Sequence, residues 1–244
     1  MWRLYFLLLV TFNSSIPKPL IIAAHRGASG YEPGNTLSAF KRALEMGAPL
    51  IELDVQRCKS GQLVVIHDDT ITVNGIKKNI SELPWNVLKT YDVGNGQKIP
   101  LLSQVFDLIN KQATIIIELK DTKSTKAVAD LIMHYIQHKN WSEQNFIIES
   151  FDHYRLLEFR NYCPRVKTAV LFEGNPIGLA QIVRNAHAGY AFMYHQWITK
   201  EFVADAHKYG IQVFAYTVNT KPLAKKLQNL DIDGIITDYP DLLG

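Results

Sequence analysis

The chain has 244 residues, enough for one large domain or two small ones, and its hydrophobic content of 47% can support a sizeable core. A net charge of +3, without a basic stripe interleaved with aromatic residues, argues against a nucleic-acid partner. The two cysteines, Cys58 and Cys163, lack the spacing of a zinc site or a disulfide framework, so two free thiols are expected.

The N-terminal segment, residues 1–19, has one arginine followed by an apolar run over residues 4–12. This pattern is typical of a short signal peptide or anchor, although the run is too short to cross a bilayer as a helix and no Ala-x-Ala-like cleavage site follows it. Two interpretations stay open. Either residues 1–15 act as a signal or anchor, with membrane contact through residues 1–12, or the protein is cytoplasmic and this segment covers one end of the fold.

Residues 20–244 alternate short apolar, β-branched runs with helical patterns, which predicts a parallel sheet flanked by helices. Predicted parallel strands begin near residues 20, 50, 114, 146, 166, 190, 211 and 234, and each but the last is followed by a predicted helix. Eight such strands in a chain of this length predict a TIM (β/α)8 barrel. A doubly wound open sheet is the alternative, but it usually has fewer strands, and no GxGxxG motif follows the first one.

Several helix boundaries can be predicted from capping residues. The side chains of Asn35 or Thr36, of Asp152 and of Thr199 can each accept a hydrogen bond from the first turn of the helix that follows. A further helix is predicted over residues 177–186, between the fifth and sixth parallel strands.

Residues 56–100 break the alternation and are interpreted as a small insertion after the second strand. They begin with the return strand of a hairpin, residues 63–66, and continue through turn-forming pairs such as Asn74-Gly75. The segment is expected to lie over the end of the sheet and not to form a separate domain, because it holds too few apolar residues for a core of its own.

The first three parallel strands each end in a pair of charged or titratable residues. Active sites of the TIM barrel lie at the C-terminal ends of the strands, so the three pairs are expected to form one polar cluster. The pairs are His25 with Arg26, Glu52 with Asp54, and Glu118 with Lys120.

The hairpin after the second strand is predicted to bring another histidine to this cluster. If Ser60 and Gly61 form a two-residue turn, then Asp54 faces His67 across the hairpin. Since Glu52 lies two residues before Asp54, both carboxylates point to the same side of their strand.

Three carboxylates on adjacent strands, Glu52, Asp54 and Glu118, favour one hard divalent cation, Mg²⁺ or Ca²⁺, over zinc. Without a cation, such crowding would raise at least one of their pKa values strongly. The alternative is an ion network in which Arg26 and Lys120 neutralise the carboxylates.

The remaining residues of the cluster suit phosphate chemistry. His25 and His67 flank the carboxylates, and histidine is suited to general acid–base catalysis near neutral pH. Arg26 and Lys120 can hold a phosphate or a carboxylate. Together with a metal ion they predict phosphoryl transfer or phosphate-ester cleavage, and no Walker loop indicates a nucleoside triphosphate.

These residues belong to a longer series of motifs, in order from residue 20 onward, that resembles the glycerophosphodiester phosphodiesterase family. The motifs are His25-Arg26-Gly27-Ala28-Ser29-Gly30-Tyr31, Asn35-Thr36-Leu37, Ala39-Phe40, Glu52-Leu53-Asp54-Val55, Gly61 with Val64-Val65 and His67-Asp68, Glu118-Leu119-Lys120, Ser150-Phe151-Asp152, Tyr216-Thr217-Val218-Asn219 and Asp233-Gly234-Ile235-Ile236-Thr237-Asp238-Tyr239-Pro240.

The resemblance implies a TIM barrel with an insertion after strand two and one divalent metal ion, usually Ca²⁺ or Mg²⁺. It also implies hydrolysis of glycerophosphodiesters to glycerol 3-phosphate and an alcohol such as choline or ethanolamine. By position it implies three metal ligands, an acid–base pair and two phosphate-binding residues. These are Glu52, Asp54 and Glu118 for the metal, His25 and His67 for the proton transfers, and Arg26 and Lys120 for the phosphate.

Three departures from the family pattern bear mainly on substrate preference. Gly34 stands where the family usually has a glutamate, Val73 where it usually has an arginine, and Tyr216 where a tryptophan is more frequent. Two other functions therefore stay open: a related phosphodiesterase that acts on lysophospholipid or sphingomyelin, and a non-catalytic phosphate-binding barrel. Tyr194, at the end of the sixth parallel strand, is a candidate for the substrate side of the pocket.

Overall fold

The computed structural model describes residues 18–244. The predicted signal or anchor falls on residues outside this range. None of the helices in the described part of the chain has the length and the hydrophobicity needed to cross a bilayer.

A closed parallel barrel is the centre of the fold. In the described residues the strands are β1 (Ile21–Ala24), β2 (Leu50–Arg57), β3 (Leu63–Val65), β4 (Thr70–Val73), β5 (Ile76–Asn79), β6 (Thr114–Leu119), β7 (Phe146–Ser150), β8 (Lys167–Phe172), β9 (Tyr190–Tyr194), β10 (Gln212–Tyr216) and β11 (Gly234–Thr237). The barrel order is β1-β2-β6-β7-β8-β9-β10-β11, and β1 pairs in parallel with both β2 and β11, which closes the sheet. The predicted TIM barrel is confirmed.

Helices surround the barrel, and three of them begin at predicted caps. They are α1 (Leu37–Glu45), α2 (Trp85–Leu88), α3 (Leu102–Ile109), α4 (Thr125–His138), α5 (His153–Tyr162), α6 (Gln181–Asn185), α7 (Lys200–Lys208) and α8 (Lys221–Gln228). Thr36, Asp152 and Thr199 each accept a backbone N–H from the first turn of α1, α5 and α7. Helix α6 is shorter than the predicted helix, because residues 177–180, which follow Gly174 and Pro176, form turns.

The barrel interior is filled in two layers. Its lower part is a cluster made only of strand side chains, Ala23, Ile116, Ile147, Ala169, Leu171, Tyr190, Phe192, Phe214 and Ile236. Above this apolar floor, towards the C-terminal strand ends, the register places Asp54 beside Glu118 and Glu118 beside Glu149. Strand pairing thus brings three carboxylates to one level of the barrel.

The hairpin register differs from the prediction by one residue. Val55 pairs with Val65, and the N–H of Ile66, not of His67, donates to the carbonyl of Asp54 at 3.0 Å. The cause is that the turn has three residues instead of the predicted two. It is closed by a hydrogen bond from the N–H of Cys58 to the carbonyl of Gln62, at 3.0 Å. The predicted pairing of Asp54 with His67 is therefore wrong, since a slip of one residue reverses the side of the strand.

A different contact brings His67 to the site. The buried side-chain amide of Gln56 donates to the carbonyls of Ile66, His67 and Asp68 at 3.1, 3.1 and 3.0 Å. These bonds hold the segment after β3 against β2, so His67 lies over the barrel mouth.

The insertion contains more core than its composition suggested. Strands β4 and β5 form an antiparallel hairpin through the predicted Asn74-Gly75 turn, where both residues have positive φ. Behind it lies a separate apolar cluster, formed by the buried side chains of Cys58, Val64, Ile66, Ile71, Ile80, Leu83, Leu88 and Ile99. The expectation that this segment lacks a core of its own is wrong, because all eight of these buried side chains come from residues 56–100.

Candidate active site

A cavity of 350 Å³ opens at the C-terminal ends of the barrel strands. We call it the barrel cavity. Six of the seven predicted site residues line it, and Asp54 lies just below the lining with 1% of its surface exposed. The six are His25, Arg26, Glu52, His67, Glu118 and Lys120.

Three buried glutamates form the base of the barrel cavity. One carboxylate oxygen from each of Glu52, Glu118 and Glu149 lies within 4.8 Å of the others. Burial and the charge of Asp54 raise the pKa of Glu52 to about 7 and that of Glu118 to about 8. Burial and the neighbouring carboxylates raise the pKa of Glu149 well above its ordinary value. Because these carboxylates are buried close together, each of the three glutamates loses its proton only at a higher pH than an ordinary glutamate.

Asp54 is the carboxylate that stays ionised. Burial alone would raise its pKa, but the charges of Arg26 and Lys120 and the amide of Asn35 outweigh burial and lower it. The Nε of Arg26 and the Nδ2 of Asn35 lie 3.2 and 2.7 Å from Oδ2. Within the described chain, Oδ1 is buried without a hydrogen-bond partner, with Nζ of Lys120 at 3.6 Å.

The loop after β1 is held in a conformation that places Arg26 over these carboxylates. Arg26 has a φ of 55°, and its N–H donates to Oε2 of Glu52 at 2.8 Å. Gly27 follows with a φ of 79°, and a Cβ there would lie 2.6 Å from the backbone carbon of Ala39 in α1. The loop packs so closely on α1 that glycine is required at this position.

Lys120 is a permanent cation of the site. Burial would lower its pKa, but the charges of Glu118 and Asp54 outweigh burial and raise it. Its Nζ lies 3.1 Å from Oε1 of Glu118. At neutral pH the side chain is therefore protonated and points a positive charge into the barrel cavity.

His25 is oriented by a carboxylate from the opposite end of the sequence. Its Nδ1 donates to Oδ1 of Asp238 at 2.6 Å, which leaves Nε2 for proton transfer. Asp238 is fixed by the hydroxyl of Ser29 at 2.8 Å and the amide of Asn219 at 2.5 Å. Burial would lower the pKa of His25, but the bond to Asp238 and the charge of Glu52 outweigh burial and raise it.

His67 lies at the mouth of the cavity and is more exposed than His25. Its side chain is 39% exposed, and Nδ1 donates to Oδ1 of the adjacent Asp68 at 2.8 Å. The two histidines line the same cavity, each with one ring nitrogen bound to a carboxylate.

Sequence reasoning missed the parts played by Glu149 and Asp238. Glu149 could have been found, because it occupies an interior position of a buried strand, in register with Glu118. Asp238 could not be assigned to His25 without the closure of β1 on β11. Tyr194 lines the cavity as predicted, and its ring lies 6.1 Å from that of Tyr216, which in turn contacts Phe151 at 6.3 Å.

The donor set fits a hard divalent cation better than it fits a closed ion network. Arg26 and Lys120 pair with Asp54 and Glu118, but within residues 18–244 neither forms an ion pair with Glu52 or Glu149. Oε2 of Glu149 is also buried without a hydrogen-bond partner there. Clustered carboxylate oxygens are the ligands that Mg²⁺ and Ca²⁺ prefer.

Comparisons with known proteins agree with this geometry. A family model described as the glycerophosphoryl diester phosphodiesterase family matches residues 25–242. The glycerophosphodiester phosphodiesterase of Caldanaerobacter subterraneus subsp. tengcongensis is 35% identical over 237 residues, which cover 91% of this chain and 96% of that protein. The two chains therefore align with each other over nearly their whole length.

Solved structures show the same fold. The glycerophosphodiester phosphodiesterase of Thermotoga maritima superposes with a TM-score of 0.75 at 28% identity, covering 92% of this chain and 97% of that one. A phosphodiesterase of Oleispira antarctica, in complex with the product sn-glycerol-3-phosphate, superposes with a TM-score of 0.82 at 24% identity, covering 91% of this chain and 94% of that one.

Proposed function

The chain belongs to the glycerophosphoryl diester phosphodiesterase family, a family of phosphoric diester hydrolases, and we propose that it cleaves glycerophosphodiesters to glycerol 3-phosphate and an alcohol. The observation that carries the proposal is the barrel cavity, in which buried carboxylates, two fixed cations and two carboxylate-bound histidines surround one space. Hydrolysis of a phosphodiester requires charge neutralisation at phosphate and two proton transfers, and this set of groups can supply both.

Glu52, Asp54 and Glu118 hold one divalent metal ion, Mg²⁺ or Ca²⁺, in this proposal, and Glu149 is a fourth carboxylate beside it. Within the described residues, Oδ1 of Asp54 and Oε2 of Glu149 are buried without a hydrogen-bond partner, and these atoms and the raised pKa values of the glutamates support the assignment. A bound ion would supply Lewis-acid polarisation of a phosphoryl oxygen.

Arg26 and Lys120 bind and orient the phosphate. Both are anchored on Asp54, at 3.2 Å from Arg26 Nε and 3.6 Å from Lys120 Nζ, so one buried carboxylate sets the positions of both cations. Each also lines the barrel cavity, where its remaining donors can bind phosphate oxygens.

The two histidines divide the proton transfers. His25, held by Asp238 through Nδ1, uses Nε2 to take a proton from the attacking water as the water oxygen bonds to phosphorus, and its raised pKa makes it a stronger base than an ordinary histidine. The bond between phosphorus and the departing oxygen breaks, and His67 gives a proton to that oxygen. The position of His67 at the cavity mouth, where an alcohol can leave, supports this division.

The test is release of glycerol 3-phosphate from glycerophosphocholine, measured with Mg²⁺, with Ca²⁺ and with EDTA. His25→Ala and Glu52→Gln are compared with His138→Ala and Glu158→Gln, which change exposed residues on α4 and α5. We expect EDTA and the first two variants to abolish turnover and the other two to retain it. Turnover that survives EDTA or the His25 change would contradict the mechanism, and wild-type protein inert on all glycerophosphodiesters in both metals would contradict the function.

A lipid substrate is the second candidate, because Phe151 lines the cavity with 48% of its surface exposed at the rim. An exposed aromatic ring beside a phosphate site can contact an acyl chain. Release of a lipid phosphate from lysophosphatidylcholine or sphingomyelin, at a higher kcat/KM than glycerophosphocholine, would favour this candidate.

A further inference from the structure

The described part of the chain begins at the end of the barrel opposite the barrel cavity. Lys18 precedes β1 there, and its Nζ lies 2.9 Å from Oδ1 of Asp233, whose Oδ2 accepts from Nε2 of His207 at 2.8 Å. Nε2 of Gln228, the last residue of α8, donates to the carbonyl of Lys18 at 2.8 Å. These contacts hold Lys18 against the last turns of α7 and α8, so residues 1–17 join the fold at this place.

Positive charge is concentrated around this junction. The last turns of α6, α7 and α8 carry Arg184, Lys208 and Lys225, and we call these three residues together with Lys18 the basic edge. The guanidinium carbon of Arg184 lies 3.8 Å from the ring centre of Tyr209, which follows α7, so the ends of α6 and α7 are in contact. Lys208 and Lys225 are exposed, and within residues 18–244 neither forms an ion pair.

The neighbouring carboxylates do not cancel this charge. Asp233 is buried and is shared by Lys18 and His207. Asp231 is exposed, with its Oδ2 3.8 Å from Nδ1 of His207. Lys111 and Lys139 add exposed ammonium groups at the same end of the barrel, in the connections after α3 and α4. The basic edge therefore keeps a net positive charge.

An apolar run in the sequence is joined to the basic edge. Cations at helix C-termini interact favourably with the helix dipole in many proteins, so the charge alone does not indicate a partner. Here, however, the apolar run of residues 4–12 is separated from Lys18 only by residues 13–17. The run is too short to span a bilayer, which takes roughly 20 residues as a helix. Stable attachment through one short hydrophobic group needs a second contribution, and a cluster of cations supplies it.

We propose that the basic edge is a docking surface for an anionic phospholipid bilayer, that residues 4–12 insert into this bilayer, and that the barrel cavity faces away from it. Residues 13–17 can extend over at most about 20 Å, so the apolar run reaches only a surface near this end of the barrel. Tyr209, with 51% of its surface exposed beside Arg184, belongs to a residue type that is enriched at the level of lipid headgroups. Because the barrel cavity opens at the other end, its substrates reach it from the water.

The test is co-sedimentation of the full chain with vesicles of phosphatidylglycerol mixed with phosphatidylcholine, beside vesicles of phosphatidylcholine alone. We expect binding to the anionic vesicles, much weaker binding to the neutral ones, and loss of the difference in high salt. The double variant Lys208→Gln with Lys225→Gln should bind the anionic vesicles about twentyfold more weakly, since each lysine contributes a factor of about five. The matched control is Lys200→Gln with Lys221→Gln, which removes the same charge from the first residues of the same helices and should bind like the wild type.

The apolar run has its own pair of variants. Leu8→Asp places a charge within the run and should abolish binding to the anionic vesicles. Ser14→Asp adds the same charge outside the run and should retain most of the binding. Vesicle-bound protein should hydrolyse glycerophosphocholine with the kcat/KM of the free protein, because the mouth of the barrel cavity stays open to water.

Equal binding to neutral and anionic vesicles would overturn the inference, and so would unchanged binding in the Lys208 and Lys225 double variant with an unaltered unfolding midpoint. Weaker binding in the Lys200 and Lys221 variant, or a lower kcat/KM on vesicles, would show that the mouth of the barrel cavity faces the bilayer instead. A chain recovered from the cells that produce it without residues 1–17 would also overturn the inference. Protein inert on glycerophosphocholine would contradict only the proposed function, because sedimentation with vesicles does not depend on turnover.

Discussion

Nδ1 of His25 and Oδ1 of Asp238 lie 2.6 Å apart, although the two residues are separated by 213 positions in the sequence. The contact forms where β1 and β11 pair and close the barrel, since the N–H of His25 also donates to the carbonyl of Thr237 at 2.8 Å. Asp238 itself is strongly ionised. Burial would raise its pKa, but the hydrogen bonds from His25, Ser29 and Asn219 hold that pKa at about 2. Barrel closure thus orients the proposed base.

Asp238→Asn should therefore affect catalysis through His25. The variant removes the charge that raises the pKa of His25, so that pKa falls and the acidic limb of the kcat/KM profile moves to lower pH. We expect kcat to fall between about tenfold and a hundredfold, because the ring loses its orientation. The matched control is Asp241→Asn, whose carboxylate accepts from Tyr31 at 2.9 Å instead. A lower kcat without movement of the acidic limb would show that Asp238 does not raise the pKa of the catalytic base.

The stability of the metal-free protein should fall as pH rises. Glu52 and Glu118 have pKa values of about 7 and about 8 in the fold, above their ordinary values, so the folded protein binds more protons than the unfolded chain in that range. The free energy of unfolding must then decrease from about pH 4.5, where these carboxyls titrate in the unfolded chain, to about pH 8, where they titrate in the fold. Thermal unfolding in EDTA measures this slope, and Mg²⁺ or Ca²⁺ should flatten it. A metal-free slope of the opposite sign would contradict the raised pKa values.

Glu149→Gln should separate stability from metal affinity. Oε2 of Glu149 is buried and accepts no hydrogen bond from any described residue, so removing this carboxylate should raise the free energy of unfolding in EDTA by about 1 kcal/mol. The same change should weaken Mg²⁺ or Ca²⁺ binding about tenfold, measured by calorimetry. Glu173→Gln, at an exposed carboxylate that lines the same cavity, is the control and should alter neither quantity. Unchanged metal affinity in Glu149→Gln would remove Glu149 from the site.

Gln56→Met should act on catalysis through His67. The variant keeps the size of the side chain but leaves three carbonyls without their donor, at a cost of about 2 kcal/mol in the free energy of unfolding. We expect kcat to fall while the inhibition constant of glycerol 3-phosphate changes little. In a double-mutant cycle the Gln56 change should have no effect on kcat when His67 is alanine. An equal effect in both backgrounds would show that Gln56 does not act by positioning His67.

Gly27→Ala should be far more damaging than Gly47→Ala. Both glycines have φ values near the same positive angle, 79° and 75°, but only a Cβ at Gly27 meets backbone atoms, at 2.6 Å from Ala39. The common backbone strain should cost about 1 kcal/mol in the free energy of unfolding. The clash at Gly27 should add about 3 kcal/mol. Urea unfolding of the two variants measures the difference, and equal losses would show that the loop can move away from α1.

Local sequence patterns were enough to predict the barrel and most of the polar cluster. The strand and helix patterns are local, because side chains alternate along a strand and a cap acts within one turn. Asp152 and Thr199 could therefore be assigned as caps from residue type and position alone, and the cap of α1 could be narrowed to Asn35 or Thr36. The strand-end position of Glu52 and Glu118 followed from the same patterns. Their convergence followed because parallel neighbouring strands end on the same face of the barrel.

The contacts between the groups of the site could be established only from the folded chain. The partner of His25 depends on the pairing of β1 with β11. The pKa of Asp54 is lowered while those of the glutamates are raised, and this difference depends on Asn35 and Arg26, which lie in a loop with positive φ. The position of His67 depended on a turn one residue longer than predicted and on the Gln56 amide. These contacts join residues far apart along the chain, and their geometry is set by the closure and packing of the whole barrel, which no local pattern encodes.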